Sequence, residues 1–465
     1  MLGIGMGVFM ATLDASIVNI SLPTLMKALN TNFATVSWVV LAYVLVVTSL
    51  MLGAARLGDM VDKKKLYMLG LVIFTIASLL CGLAPTVGWL IAFRALQGVG
   101  AVFTQSLGAA IITEVFPPSE RGRALGLVGT TVSTGIAIGP PLGGLLIGLA
   151  GWQSIFLVNV PVGIIALFVV SRFVPPSTVR PGQRFDATGG IVLFLTLAAY
   201  ALGMTLAQDR GFGSPIAVGL LAAAAAGLVV FLMVQRRVRQ PMIDLSLFRN
   251  VLFGLSLLMG FLVFVVMSGN YILPFYLQLV KGFSTQEIGL MLMATPILMG
   301  LTAPLAGSLS DKFGSRGISL VGLLVIVIGC LSVSTLGPDT TAAGFILRML
   351  PFGLGLGLFQ SPNNSAIMGS APRDRLGVAS GLMSLSRTLG STTGVPLMGA
   401  LFASLVLAFA GLPPGTDATT APPAALIAGV NGTYRLAAFV ILASASVASI
   451  ALWIDRKARK QASLS

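Results

Sequence analysis

The chain has 465 residues, of which 56% are hydrophobic and only 9% are charged, whereas soluble domains carry about 25% charged residues. This composition excludes an ordinary soluble protein. The absence of histidine and the presence of only two cysteines exclude histidine metal sites, imidazole proton relays and four-thiolate zinc sites. The net charge of +14 lies in short clusters between apolar runs and not along one face, so it indicates no nucleic-acid partner.

Apolar runs of about 20 residues, the length that crosses a bilayer, recur along the whole chain. Glycine, proline and charged residues between them predict membrane helices near 2–27, 35–55, 65–84, 89–115, 123–149, 154–171 and 187–206. A second set is predicted near 214–234, 251–279, 285–306, 318–337, 342–368, 376–409 and 433–454. The first run has neither a basic leader nor a small-residue cleavage site, so we expect a retained helix. The sequence thus predicts an all-α polytopic membrane protein with fourteen transmembrane helices.

Lysine and arginine are distributed unequally between the two sides of these predicted helices. Clusters such as Lys63–Lys65 and Arg236–Arg239 fall on one side, whereas the other side holds only Lys27, Arg210 and Lys281. Positively charged loops stay in the cytoplasm when a membrane protein inserts. We therefore expect the inner (cytoplasmic) cell membrane, both termini in the cytoplasm, and contact between the basic loops and anionic lipid headgroups.

Two stretches of the sequence resemble each other and predict a duplicated architecture. Arg94 and Arg348 are each followed by spaced glycines and then by Phe, Gln and Ser, and Gly135 in the next predicted helix corresponds to Gly390. We expect an N-terminal six-helix bundle, an inserted pair of helices with basic flanking loops, a C-terminal six-helix bundle and a cytoplasmic tail, at 1–172, 173–250, 251–455 and 456–465.

Motifs in the first half carry a family resemblance that extends over essentially the whole chain. They are LDASIVNISLP at 13–23, the Arg94, Gln97, Gly98 and Gly100 pattern, the Gly135, Gly139, Pro140, Gly143 and Gly144 pattern, and FLVNVP at 156–161. Their order and spacing resemble the fourteen-helix drug:proton antiporter branch of the major facilitator superfamily. The resemblance implies the major facilitator fold, in which two six-helix bundles, here with two inserted helices, rock about a midplane cavity. The first basic loop departs from the family pattern at Ala55, Met60 and Asp62.

Asp14 is the only carboxylate that the predicted helices place near the middle of the bilayer. About twelve residues separate it from either end of the first helix, at 1.5 Å of rise per residue. A central aspartate costs about 2.5–3.5 kcal/mol on insertion, so an intramembrane acid is a functional hypothesis by default. We predict that Asp14 binds the coupling proton. The alternative is an aspartic acid that is permanently hydrogen bonded and only joins two helices.

Arg94, Arg348 and Arg387 also fall within predicted membrane helices. Arg94 lies in the outer half of the fourth helix, where its long side chain has to span a height difference of ~9 Å to reach Asp14. From the residues alone, proton gating and a clamp on backbone carbonyls are equally compatible with Arg94, and the family resemblance favours gating. For Arg348 and Arg387 in the second half we expect conformational roles through backbone carbonyls, with an anionic group of the substrate as the alternative partner.

Further residues are predicted to serve conformational change and substrate binding. Asp59 and Asp311 lie beside basic residues in cytoplasmic loops, where we expect ion pairs that form in one state only. In the fifth helix, small residues at four-residue spacing and a proline allow close approach and bending: Gly135, Gly139, Pro140 and Gly143. The predicted substrate cavity is lined by Asn19, Tyr43, Gln97, Gln105, Asn270, Tyr271, Tyr276, Gln360, Asn363 and Asn364.

Together these patterns predict a proton-coupled secondary transporter, not an enzyme, that exports small lipophilic compounds by alternating access, as in multidrug efflux. The sequence has no GxxxxGK[ST] nucleotide-binding loop, so we expect no cofactor and a proton gradient as the energy source. The scarcity of deep acids favours cationic or neutral substrates. Protons, small lipophilic substrates and membrane lipids are the expected partners of a monomer. The alternative is a lipid or metabolite exporter or flippase of the same fold.

Overall fold

The computed structural model describes residues 2–115, 121–176, 186–238, 245–372, 376–413 and 415–462. Within these residues the secondary structure is helical and contains no strand. Thirteen of the described helical segments are long and apolar enough to cross a membrane, and a shorter apolar stretch, Thr134–Ala150, lies in a further helix. The prediction of an all-α polytopic membrane protein is therefore confirmed.

Two compact units divide the chain, and unit 1 comprises Met1–Ile243 and Leu277–Leu290. Its first helices are α1 (Leu2–Ala28), α2 (Phe33–Met60), α3 (Lys63–Gly82), α4 (Val87–Val115) and α5 (Arg121–Ala150). They are followed by α6 (Ser154–Leu157), α7 (Asn159–Phe173), α8 (Ala187–Arg210) and α9 (Pro215–Arg237).

Unit 2 comprises Asp244–Tyr276 and Met291–Ser465. The chain enters it with α10 (Val251–Met267), which continues through short irregular turns and α11 (Leu273–Phe275). The later helices are α12 (Thr285–Leu292), which begins in unit 1, α13 (Ala294–Phe313), α14 (Ser315–Val333), α15 (Ala342–Gly369), α16 (Leu376–Ala410) and α17 (Pro423–Ala462).

Short polar side chains begin several of these helices. Asn32 accepts a hydrogen bond from the backbone N–H of Thr35 at 2.8 Å, and Asp62 accepts one from Lys64 at 2.9 Å. Such N-caps satisfy backbone donors that have no partner within the first helical turn. Asp62, where the sequence departs from the family loop pattern, is therefore the N-cap of α3.

Glycines bring the helices of unit 1 into backbone contact. A Cβ atom added to Gly100 of α4 would lie 2.5 Å from the backbone nitrogen of Phe74 in α3, and one added to Gly139 of α5 would lie 2.5 Å from the Cβ of Ser16 in α1. No larger residue fits without a shift of the neighbouring helix. The closeness expected from the glycine spacing of α5 is thus realised against α1.

Unit 2 repeats this arrangement with different residues. A Cβ atom on Gly355 of α15 would lie 2.6 Å from the backbone nitrogen of Ile326 in α14, and one on Gly390 of α16 would lie 2.6 Å from the carbonyl oxygen of Phe261 in α10. The pairs α14–α15 and α10–α16 therefore correspond to α3–α4 and α1–α5 of unit 1. The two units share one scheme of helix contacts.

Two segments extend unit 1 beyond its first seven helices. Helices α8 and α9 pack on each other, and α8 contacts α2. The segment Leu277–Leu290 follows α10 in sequence, yet it contacts α5: added Cβ atoms on Gly144 and Gly289 would overlap Thr285 and Pro140, respectively. Unit 1 is therefore completed by residues that are distant in sequence.

Candidate functional site

Asp14 lies halfway along α1 and is fully buried. Small residues accompany it on its face of the helix, and Gly7, one of them, leaves no room for a Cβ atom beside Tyr67 of α3. The hydroxyl of Tyr67 donates to the carbonyl oxygen of Ile4 at 2.9 Å. Close packing of α1 against α3 thus accompanies the complete burial of Asp14.

Arg94 of α4 contacts Asp14 directly. Its side chain is 1% exposed, and Nη1 donates to Oδ2 of Asp14 at 2.6 Å. Its Nε donates to the carbonyl oxygen of Val39 in α2 at 2.9 Å. The long arginine side chain therefore spans the height difference that made this pair marginal from helix rise alone.

Two amides complete the shell around the carboxylate. Gln97, one turn after Arg94, donates from Nε2 to Oδ1 of Asp14 at 2.9 Å, and its Oε1 accepts from Arg94 at 2.5 Å. Asn159, the first residue of α7, donates from Nδ2 to the same Oδ1 at 3.0 Å. Gln97, predicted as a cavity residue, is a direct partner of Asp14. In the sequence, Asn159 stands out only as part of the FLVNVP motif.

Arg94, Gln97 and Asn159 all donate hydrogen bonds to Asp14. This fits an ionised carboxylate, which only accepts hydrogen bonds, and the guanidinium beside it balances its charge. A proton on the carboxyl group would turn one oxygen into a donor that needs an acceptor. Oδ1 of Asn159 is buried and has no partner among the described residues. Rotation of that amide would supply the acceptor.

An aromatic wall closes the cluster. The guanidinium carbon of Arg94 lies 4.4 Å from the ring centroid of Tyr43 and 5.9 Å from that of Phe156. Gln105 donates from Nε2 to the Tyr43 hydroxyl at 3.3 Å. Both predicted cavity residues, Tyr43 and Gln105, therefore belong to the shell of the Asp14–Arg94 pair, and cation–π contact further stabilises the buried guanidinium.

Comparison with protein families identifies the chain by its sequence. The model described as Major Facilitator Superfamily matches residues 4–395. The chain belongs to the Major Facilitator Superfamily. Members of this superfamily are transporters and not enzymes, so the chain is a membrane transporter.

Curated relatives of this superfamily member have different substrates in their names. It is 37% identical over 402 residues to the riboflavin transporter RibZ of Clostridioides difficile (strain 630), over 85% of this chain and 86% of the relative. It is 33% identical over 402 residues to the multidrug resistance protein Stp of Mycobacterium tuberculosis (strain ATCC 25618 / H37Rv), over 86% of this chain and 75% of the relative.

Solved structures share the fold of this superfamily member. A bacterial homolog of the human lysosomal transporter Spinster, in an inward-facing and unoccupied conformation, has a TM-score of 0.69 at 17% identity and covers 97% of this chain and 95% of its own. A POT family transporter in complex with 5-aminolevulinic acid has a TM-score of 0.69 at 14% identity, with 98% and 96% covered. At these identities the likeness concerns the fold alone.

The remaining predicted cavity residues of this superfamily member lie away from Asp14. In unit 2, the hydroxyl of Tyr271 donates to the carbonyl oxygen of Val395 at 3.2 Å, and that of Tyr276 donates to Gly337 at 2.9 Å. The Tyr434 hydroxyl hydrogen bonds to Oδ1 of Asn270 at 2.7 Å. These side chains join helices within unit 2. The predicted cavity residues Asn19 of α1 and Gln360 of α15 have half-buried side chains.

The other two membrane arginines have neutral partners. Arg348 donates to the carbonyl oxygen of Gly344 at 2.9 Å and to the Thr335 hydroxyl at 3.0 Å. Arg387 of α16 donates from Nη2 to Oδ1 of Asn364 in α15 at 2.5 Å. Asn363 donates to the carbonyl oxygen of Ser256 at 3.2 Å. A carbonyl contact is therefore present for Arg348, and Arg387 binds a side-chain amide instead.

The predicted conformational residues of α5 contact α1 and the segment Leu277–Leu290. Gly135 approaches the carbonyl oxygen of Phe9, Gly143 approaches Ile20, and Pro140 approaches Gly289. Despite its prolines, α5 is one continuous helix from Arg121 to Ala150. The side chains of Asp59 and Asp311 lie outside the described part of the structure.

A second buried carboxylate in unit 1 escaped sequence reasoning. Asp186 is 7% exposed and accepts hydrogen bonds from the backbone N–H of Gly189 at 2.8 Å and from Nε2 of Gln235 at 2.7 Å. It joins the start of α8 to the end of α9. The signal was an aspartate just before an apolar helix, which is the pattern of an N-cap.

Proposed function

We propose that the chain is a proton-coupled exporter of small lipophilic compounds in the fourteen-helix drug:proton antiporter branch of its superfamily. The branch is supported by the thirteen described spans together with the apolar stretch Thr134–Ala150 of α5 as a fourteenth. Relatives named as multidrug resistance proteins support export of drugs. The excess of Lys and Arg on one side supports the inner membrane with both termini in the cytoplasm.

The observation that carries this proposal is the fully buried Asp14 within its shell of donors. With Asp14 buried, Arg94 and two amides stabilise the ionised carboxylate. When the unit admits water or substrate, these contacts loosen and a proton binds. Protonation removes the attraction between Asp14 and Arg94, which gives the proton a differential effect on two conformations, as coupling requires.

The glycines of α5 provide contacts through which a movement of α1 is transmitted to α5. The close approach of Gly135 and Gly139 to α1 means that a small shift of α1 on proton binding reaches α5 directly. Through Pro140 and Gly289 it also reaches the segment Leu277–Leu290. Asp59 and Asp311 lie in the last turns of α2 and α13 and not in loops as expected from the sequence. We assign to them the role of carboxylates at these helix ends that pair with basic residues in one state.

A second candidate substrate class is favoured by one specific comparison. The 37% identity to a riboflavin transporter over 85% of this chain makes a planar aromatic metabolite an alternative to drugs. Both classes include planar aromatic ring compounds, so the same fold and the same proton site serve either one. Only a transport assay with both kinds of compound separates them.

The test is transport in proteoliposomes with and without an imposed pH gradient, using ethidium and riboflavin as substrates. We expect the wild type to accumulate one of them against its gradient only when the pH gradient is present. Asp14→Asn should abolish this accumulation and keep downhill exchange, because the amide preserves the shape but cannot titrate.

Asp186→Asn is the matched control. It replaces another buried carboxylate of unit 1 by an amide that can still cap α8, so proton-driven accumulation should persist. If Asp14→Asn still accumulates substrate to the wild-type level, the proton role of Asp14 is wrong.

A further inference from the structure

Arg387 is a cation within a membrane span of unit 2, about one third of the way along α16. Its guanidinium donates to Oδ1 of Asn364, and its Cζ lies 5.5 Å from the ring centroid of Phe264 in α10. Its side chain is half-buried, so the guanidinium is neither fully buried nor fully exposed. Of its five N–H donors, one is used in the described structure.

No carboxylate balances this charge on α10, α15 or α16, the helices that hold Arg387 and the two side chains it contacts. The sequences of α10, α15 and α16 contain no aspartate and no glutamate. The other membrane or membrane-edge arginines with ion pairs differ in this respect, since Arg94 is paired with Asp14 and Arg316 with Asp455. Asn364 and Phe264 offer only an amide dipole and a ring face, which stabilise a guanidinium without neutralising it.

An unbalanced cation in a membrane span is costly, and such residues mark the pathway of a substrate or ion. A guanidinium with unused donors is suited to a carboxylate, which it binds through two parallel hydrogen bonds. The free Nδ2 of Asn364 lies beside it and adds a further donor, because its Oδ1 already accepts from Arg387. The ring of Phe264 supplies an apolar wall for a flat hydrocarbon body.

We propose that Arg387, Asn364 and Phe264 form a binding site in unit 2 for the acidic group of an aromatic anion. The site deepens the proposed function, on which it rests, by adding aromatic anions to the exported lipophilic compounds. Arg387 binds the anionic oxygens, the Asn364 amide donates to one of them, and Phe264 lies against the ring. The bound anion balances the charge of Arg387, for which these helices provide no carboxylate.

Equilibrium binding tests the site without any proton gradient. We would measure binding of 2-naphthoate and of its neutral isostere 2-naphthamide to the full-length protein in lipid nanodiscs, with empty nanodiscs as the blank. Wild type should bind naphthoate at least about tenfold more tightly, as expected for a charge-assisted hydrogen bond. Arg387→Gln should remove this preference, and Arg387→Lys should keep part of it.

Two further variants guard against misfolding and non-specific charge effects. Asn364→Asp places a carboxylate beside Arg387 and should abolish the naphthoate preference while both charges keep the helices together. Arg348→Gln is the matched control: Arg348 is a second cation of unit 2, but it lines an open cavity of about 320 Å³ that also includes Asp339. It should leave the preference unchanged.

Equal binding of the two probes to wild type, or no saturable binding of either, overturns the site. A preference that survives both Arg387→Gln and Asn364→Asp overturns it as well. Asp14→Asn should keep the naphthoate preference, so loss of proton coupling and loss of the anion site are separate results.

Discussion

Units 1 and 2 share one scheme of helix contacts but differ in the partners of their membrane arginines. Arg94 and Arg348 occupy matching places in the repeated motif. In unit 1, Arg94 meets Asp14 in a fully buried pair, whereas in unit 2 Arg348, near the start of α15, binds Gly344 and Thr335. The carboxylate of α1 has no acidic counterpart in α10.

This difference separates what duplication preserves from what it does not. The glycines that allow close approach occur in both units, because helix packing requires them wherever the same pairs of helices meet. The fully buried ion pair between the Asp14 and Arg94 helices has no match on the corresponding helices, because neither α10 nor α15 contains a carboxylate. Duplication thus preserves the packing of these helices and not their charge pairing.

Among the variants that test this difference between the units, removal of Arg94 should have the largest effect. Arg94→Ala leaves Asp14 buried without a counter-charge, which costs about 3–5 kcal/mol, so we expect a large drop in the melting temperature of the purified protein. Arg94→Ala combined with Asp14→Asn should regain much of this loss, because no buried charge remains. If the double variant is as unstable as the single one, Arg94 acts mainly as a clamp on Val39.

The shared scaffold can be tested with one glycine from each unit. Gly100→Ala and Gly355→Ala place a methyl group 2.5 Å and 2.6 Å from backbone nitrogens of a neighbouring helix. Overpacking of this kind costs about 1–3 kcal/mol, and we expect both variants to melt earlier by similar amounts. Gly300→Ala is the control, since nothing lies within 4 Å of its added Cβ. A loss confined to one unit would show that the two contacts are not equivalent.

A smaller effect should distinguish the asparagines of the two units. Asn159→Leu removes one of the donors to Asp14 and leaves a buried carboxylate oxygen with one hydrogen bond fewer, which costs about 1–3 kcal/mol. Proton-driven accumulation of substrate in proteoliposomes should therefore fall. Asn363→Leu removes a comparable buried amide of unit 2 and should leave proton-driven accumulation near the wild-type level. Wild-type accumulation by a folded Asn159→Leu protein contradicts the role given to this amide.

Much of the fold followed from the sequence because a bilayer imposes a length on every apolar run. The predicted spans 2–27 and 187–206 correspond to α1 and α8. Predicted ends fail where a helix continues past the apolar run: the span 433–454 lies inside α17, which runs from Pro423 to Ala462. Hydropathy marks where the membrane ends and not where backbone hydrogen bonding ends.

The chemistry of the site was only partly predictable. Asp14 and Arg94 stood out because charge is rare in membrane helices, but their contact depends on side-chain reach, which helix rise does not describe. Asn159 and Asp186 were missed as partners because each meets residues distant in sequence. A single polar residue in an apolar context shows that a partner is needed and does not show which one.

The segment Leu277–Leu290 has a consequence for the order of biosynthesis. It contacts α5 as part of unit 1, although all of α8, α9 and α10 are translated in between. When the synthesis of α9 has just ended, the segment that packs on Gly144 of α5 has not yet been made. The surface of unit 1 at Gly144 is therefore still uncovered. Unit 1 becomes complete only after residue 290 has left the ribosome, and α10, the first helix of unit 2, leaves the ribosome before it.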